Sequence, residues 1–146
     1  MRTITKRRPS GFTVLELLIV IGVIAIIASI AIPNYSSSKK SANEASAISS
    51  MRALTSAEEN YRVTQNPPGY AFLSQLNTSK LINPALGTGS KSGYTFITFG
   101  VPGTQTYAFT GNPQTGSGDR WFYVDQTGVI RANSGSSANP TSSPLN

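Results

Sequence analysis

The groups that could do chemistry in this chain are few. Its acids are Glu16, Glu44, Glu58, Glu59, Asp119 and Asp125, and it contains neither histidine nor cysteine. That inventory excludes zinc, thiol and His-based nucleophilic chemistry. A carboxylate mechanism would rest on Asp119 and Asp125, the only acids after Glu59, with no supporting base, so an enzyme is not expected. The same two acids fall short of a calcium site, which takes roughly six to eight oxygens. No cofactor or metal is implied. Glu16 differs in kind, because it is the only charge in an apolar run from Phe12 to Ile32 that follows Gly11 and the basic residues Arg2, Lys6, Arg7 and Arg8.

At about 1.5 Å rise per residue, a helix over that run covers roughly 30 Å, enough to span a bilayer core. An acid inside such a span costs on the order of 2.5 to 3.5 kcal/mol on insertion scales and is usually paired. Glu16 therefore needs a partner. A secretory signal is cut after its apolar stretch, which is then discarded; here the small-residue site after the run is unconvincing, whereas Gly11-Phe12 precedes it. Cleavage after Gly11 would retain the apolar helix and create an amino terminus at Phe12, one helical turn from Glu16. The cationic terminus of a neighbouring copy could then pair with Glu16, in a low dielectric that strengthens the attraction.

The stretch Ser10-Gly11-Phe12-Thr13-Val14-Leu15-Glu16-Leu17-Leu18 closely resembles the processing signature of type IV prepilins and type II secretion pseudopilins, and the resemblance extends through Pro33 and Tyr35. It implies removal of residues 1–11 by a membrane-embedded prepilin peptidase and N-methylation of Phe12. It also implies a filament whose core is the bundled N-terminal helices, joined through Glu16. Pro33 would kink the helix as it leaves the membrane. Competing with this is a plain signal anchor in which the leader only sets orientation by the positive-inside rule, but such an anchor has no use for Glu16.

The elements that must carry this terminus follow from the rest of the chain. The net charge is +6, yet outside the leader eight basic residues stand against six acidic ones, and the bases are scattered, so nucleic-acid binding has no support in the sequence. With no cysteine, the C-terminal region must be held by packing, hydrogen bonds or neighbouring subunits. The apolar helix, 12–35, is expected to continue as an amphipathic half over 36–65. There Ala47, Met51, Leu54, Glu58 and Tyr61 recur at spacings of three and four with Ile48 beside them, while Lys39, Lys40, Arg52 and Glu59 face out. Asn66-Pro67-Pro68-Gly69 ends the helix.

Residues 66–93 read as a connecting loop with a short helical turn around Leu73 and Leu76, and Gly87–Ser92 reads as a solvated turn, because Ser90 and Ala85 stand where a phosphate loop needs glycines. An antiparallel sheet is expected over 94–132, with strands Tyr94–Phe99 and Thr106–Thr110 and a hairpin Trp121–Val124 to Val129–Arg131 turning at Asp125-Gln126-Thr127-Gly128. Alternation puts Tyr94 and Phe96 on one face and Thr95, Ile97 and Phe99 on the other. Residues 133–146, rich in Ser, Asn, Gly and Pro, are expected to be a flexible or surface-strapped tail. The fold class is thus α+β, a long N-terminal helix laid against a small antiparallel sheet, as the resemblance also implies.

The resemblance implies a structural subunit of a type IV pilus, used for adhesion, motility or DNA uptake. Its partners would be further copies of itself, minor pilins, prepilin peptidase, the membrane, and an inner-membrane assembly platform with its ATPase motor. The precursor would sit in the inner membrane with its N-terminus cytoplasmic, and the assembled form in an extracellular pilus. The alternative within the family is a type II secretion pseudopilin, which lacks support from any Asp-Pro-Trp-Gly-like segment here. A monomeric membrane-anchored adhesin lies outside the family.

Overall fold

The structure, a computed structural model, describes residues 11–145; the basic leader therefore lies outside the described residues, apart from Gly11. The chain divides into two compact units, Met1–Ser37 and Ser38–Asn146. Helix α1, Val14–Thr64, crosses from one to the other. In the first unit it is long and apolar enough to cross a membrane, and its leucines, isoleucines and valines are all exposed. Pro33 lies inside α1, which continues through it. Proline lacks the N–H that would bond the carbonyl four residues back, so the helix is weakened there without being ended.

In the second unit, the rest of α1 supplies one wall of the core. Ala47, Met51, Leu54, Ala57 and Glu58 are buried, with Ile48 and Tyr61 packed beside them, as the spacing predicts. After the helix come α2, Leu73–Thr78, and α3, Pro84–Gly87. Asn83 starts α3 by accepting the Ala85 N–H through its side chain at 2.8 Å, and Pro84 suits the first helical position because no partner is lost there.

Six strands follow in a sequential antiparallel meander: β1, Ser90–Lys91; β2, Tyr94–Thr98; β3, Ala108–Pro113; β4, Arg120–Asp125; β5, Arg131–Ser134; and β6, Ser143–Pro144. Tyr94, Phe96, Phe109, Phe122 and Val124 face the helix and are buried. Thr95 and Ile97 on β2, with Phe99 beyond its end, lie on the other face, where Tyr123 and Ala108 form a second small cluster with Ala138, against which Trp121 packs.

Two differences from the sequence expectations, and the choice between the two forms expected of the tail, have physical causes. The segment read as a solvated turn at Gly87–Ser92 contains β1, pinned to the sheet by Phe96 N–H donating to the Gly89 carbonyl at 2.7 Å. β3 starts later than the apolar pattern predicts and runs into Gly111-Asn112-Pro113, because Thr106 closes the preceding loop through the Gly103 N–H at 2.9 Å. The tail is strapped rather than loose: β6 pairs with β5, Leu145 N–H donates to the Ile130 carbonyl at 2.8 Å, and Ala138 is buried.

Gly111 lies where the sheet comes close to the helix. A Cβ built there would stand 2.8 Å from Met51 Cε and 3.3 Å from Phe96 Cε1. Gly111→Val is expected to destabilise the second unit by about 1 to 3 kcal/mol through overpacking. Chemical denaturation of the full chain in detergent would show this as a lower midpoint, and an unchanged midpoint would mean the core repacks without strain.

Candidate functional site at the helix N-terminus

Glu16 lies in the first turn of α1, and its neighbours define how the helix begins. Thr13 Oγ1 accepts the Glu16 N–H at 3.2 Å, while Glu16 Oε2 accepts both the Thr13 N–H and the Thr13 hydroxyl at 2.8 Å. This reciprocal arrangement is a capping box, in which two orphan N–H groups of the helix start are satisfied by side chains three residues apart. Thr13-x-x-Glu16 was a legible signal for it in the sequence. The box fixes the first helical residue at Val14 and leaves Gly11, Phe12 and Thr13 outside the helix.

Gly11, Phe12, Thr13 and Glu16 line one open depression of about 300 Å³. The structure thus brings together the residues singled out for cleavage, methylation and assembly, with Phe12 almost fully exposed at 90%. Pro33, the candidate kink, is separate from this cluster along α1. Glu16 Oε1 accepts no hydrogen bond among the described residues, so one oxygen of the carboxylate stays available.

Asp119 and Asp125 are not brought together, standing just before β4 and at its far end. Asp119 pairs with Lys40 at 2.7 Å, and Asp125 Oδ1 accepts the Thr127 N–H at 2.9 Å and its hydroxyl at 2.6 Å, shaping the turn into β5. Among the described residues no group of three or more acids is placed to hold a metal ion.

Glu44 and Glu58 are the buried acids of α1. Glu44 Oε1 accepts the N–H groups of Asp119 and Arg120 at 2.9 and 3.2 Å, and its Oε2 pairs with Arg120 Nε at 2.7 Å. It ties the start of β4 to the helix. The spacing 44, 47, 51, 54, 58 carries the signal that places it on the buried stripe. Glu44→Ala leaves three donors without their acceptor and is expected to cost about 1 to 3 kcal/mol, read as a lower unfolding midpoint; Glu44→Gln should recover the two backbone bonds and part of the loss.

Comparison with known proteins decides the family. The prokaryotic N-terminal methylation motif matches residues 6–32. A type IV wide pilus major component of Thermus thermophilus is 30% identical over 140 residues, which cover 94% of this chain and 99% of that protein. The chain belongs to the type IV pilin and pseudopilin family. Type II secretion system core protein G of Aeromonas hydrophila is 41% identical over 61 residues, and that of Escherichia coli is 32% identical over 96 residues. These matches cover 42% and 64% of this pilin-family chain, and it spans 43% and 65% of those two proteins.

Proposed function

We propose that the chain is a type IV pilin, cleaved after Gly11, N-methylated at Phe12, and assembled through its N-terminal helix into a surface filament. The reading rests on one observation above the rest: the likeness to a pilus major component runs along almost the whole of both chains. The geometry supports it, since the scissile Gly11-Phe12 pair lies outside the helix and beside an acid with an unused oxygen. The inner membrane holds the precursor as a single span with its leader in the cytoplasm, where the basic residues favour that orientation. Peptidase, assembly platform and motor are the partners that processing and extraction require. The role is structural, not catalytic.

A pseudopilin of type II secretion is the second reading, favoured by the higher identity to core protein G over a shorter stretch. Intact mass and N-terminal sequencing of protein sheared from the cell surface separate the cases. A chain beginning at N-methylated Phe12 in high-molecular-weight surface fibres is the expected result. A chain beginning there but absent from the surface, in cells whose secretion depends on it, would favour the pseudopilin. A chain retaining Met1–Gly11 and confined to the membrane would overturn both.

A further inference from the structure

We propose that residues 136–145 are a removable guard over the outer edge of β5, and that the contact they hold off is antiparallel pairing of this edge with the same edge of a second copy. The inference does not depend on which filament the chain builds.

β5 is paired with β4 along its whole length on one side. On the other side β6 covers only Arg131 and Ala132, which stand opposite Pro144 and Ser143. A sheet edge is a row of N–H and C=O groups able to take another strand, and proteins blunt it with short strands, proline or a covering loop. The segment after β5 uses all three. β6 is two residues long, and Pro144 has no N–H to offer a further strand. Past Ala132 the cover is a side-chain contact, Asn133 Nδ2 donating to Ser136 Oγ at 2.8 Å. Gly135, at φ +86° with open space where a Cβ would stand, starts the reversal of the chain. Asn139 Oδ1 closes a second turn by accepting the Thr141 N–H at 2.9 Å.

Few ties hold the guard down. Ala138 is buried and plugs the small cluster of Ala108 and Tyr123, against which Trp121 packs. Leu145 packs on the main core, its N–H donates to the Ile130 carbonyl, and Arg131 Nη1 donates to the Ser142 carbonyl at 3.2 Å. Ser136, Ser137, Asn139, Pro140 and Thr141 are exposed. Arg131 Nε stays buried without a partner while the guard is closed, a cost that weakens the closed form. A segment with two apolar anchors and a two-residue strand belongs to the part of a fold that opens before the rest.

The partner follows from what the lifted guard uncovers. For an added strand, main-chain bonds give the affinity and side chains the selectivity. Two copies of β5 laid antiparallel set Arg131 opposite Ser134 and Ala132 opposite Asn133, so no like charges face each other. The other edge of the sheet, β1, is two residues long and carries Lys91, offering less backbone and a charge of the same sign as Arg131. Pairing of β5 with β5 uses the same surface on both copies, so it closes as a dimer. A closed dimer cannot be extended at that seam, and the guard thereby keeps copies single.

The test compares full-length wild type with variants in detergent. A chain stopped after Gly135 is expected to form dimers whose share rises with concentration beyond the wild-type baseline. Its Trp121, the one tryptophan, emits further to the red once Ala138 is gone. Amides of β5 should exchange about tenfold more slowly in the dimer than in the monomer. A second variant keeps the guard and makes its release switchable, because the chain has no native cysteine. Ala132→Cys and Ser143→Cys, at opposed positions, lock the guard when oxidised, and Ala138→Asp loosens it when they are reduced. The oxidised form should match the wild type and the reduced form should dimerise; if the shortened chain does not fold, this comparison decides alone. A shortened chain with native near-ultraviolet circular dichroism but wild-type association would overturn the proposal. So would dimers whose β5 amides gain no protection, or equal dimerisation of the oxidised and reduced forms.

Discussion

A Glu16→Gln chain is expected to insert in the membrane, lose its leader and fail to build fibres. The substitution separates the cap that Glu16 forms with Thr13 from the assembly charge proposed for it. Gln at this position of a capping box still accepts the Thr13 N–H, so the helix start at Val14 survives. What disappears is the charge. Two unit charges about 4 Å apart attract by about 4 kcal/mol at an effective dielectric of 20, which corresponds to a loss of association on the order of a hundredfold or more per subunit. Insertion improves at the same time by part of the roughly 2.5 to 3.5 kcal/mol that the acid costs, the amide of Gln being itself polar. Glu16→Ala removes both cap and charge and should assemble no better than Glu16→Gln. Gly11→Leu serves as the contrasting control: it stays unprocessed and keeps the leader, whereas the Glu16 variants are cut. Quantifying mature and precursor chains in membrane and sheared fractions tests all three. Normal fibre yield from Glu16→Gln, with loss in Glu16→Ala, would show that the cap and not the charge is what assembly needs.

The parts of this molecule that could be read from sequence are those in which side chains carry the information. The helix start is one, because Thr13-x-x-Glu16 is the side-chain pattern of the capping box that the structure holds there. The helix stripe from Ala47 to Glu58 and the alternation at Tyr94 and Phe96 are others, since burial imposes a period on residue type. What escaped was backbone pairing. β1 and β6 are two residues each and contribute little apolar surface, so no periodicity announces them, and β6 is placed by the Leu145 N–H and by Ala138 sinking into the far face. β3 escaped for the opposite reason. Its second half, Gly111-Asn112-Pro113, has turn-forming composition, yet it pairs with β2 and β4 and lays Gly111 close against Met51 and Phe96, a tertiary setting that overrides local propensity.

Glu58 provides the second large effect, one that appears as a pH dependence. Its side chain is fully buried. Oε2 accepts the Ala71 N–H at 3.0 Å, pinning the chain that enters α2, while Oε1 has no partner. Burial pushes its pKa from the ordinary 4.5 up to about 7; the Ala71 hydrogen bond pulls it down and the nearby Glu59 charge adds to the rise. Glu59 on α1 and Tyr107 from the strand side act on it, the latter with its own pKa raised by burial to about 12, and the Tyr70 hydroxyl lies 3.4 Å from the Glu59 and Arg62 side chains. The tyrosines stay neutral across the range that matters. Below about pH 4.5 Glu58 is protonated in both folded and unfolded chains and has no effect on the balance. Between about 4.5 and 7 the folded state keeps a proton that the unfolded state releases, so stability falls as pH rises, and the loss is complete above 7 at up to about 3 kcal/mol. Glu58→Gln keeps an acceptor for the Ala71 N–H and cannot ionise. Its stability should match the wild type near pH 4 and exceed it by up to about 3 kcal/mol at pH 8, with denaturant midpoints of the full chain in detergent as the readout. Parallel profiles for the two chains across pH 4 to 8 would mean that Glu58 is already solvated in the folded state, and that Ala71 is held by something other than a carboxylate kept dry between helix and sheet.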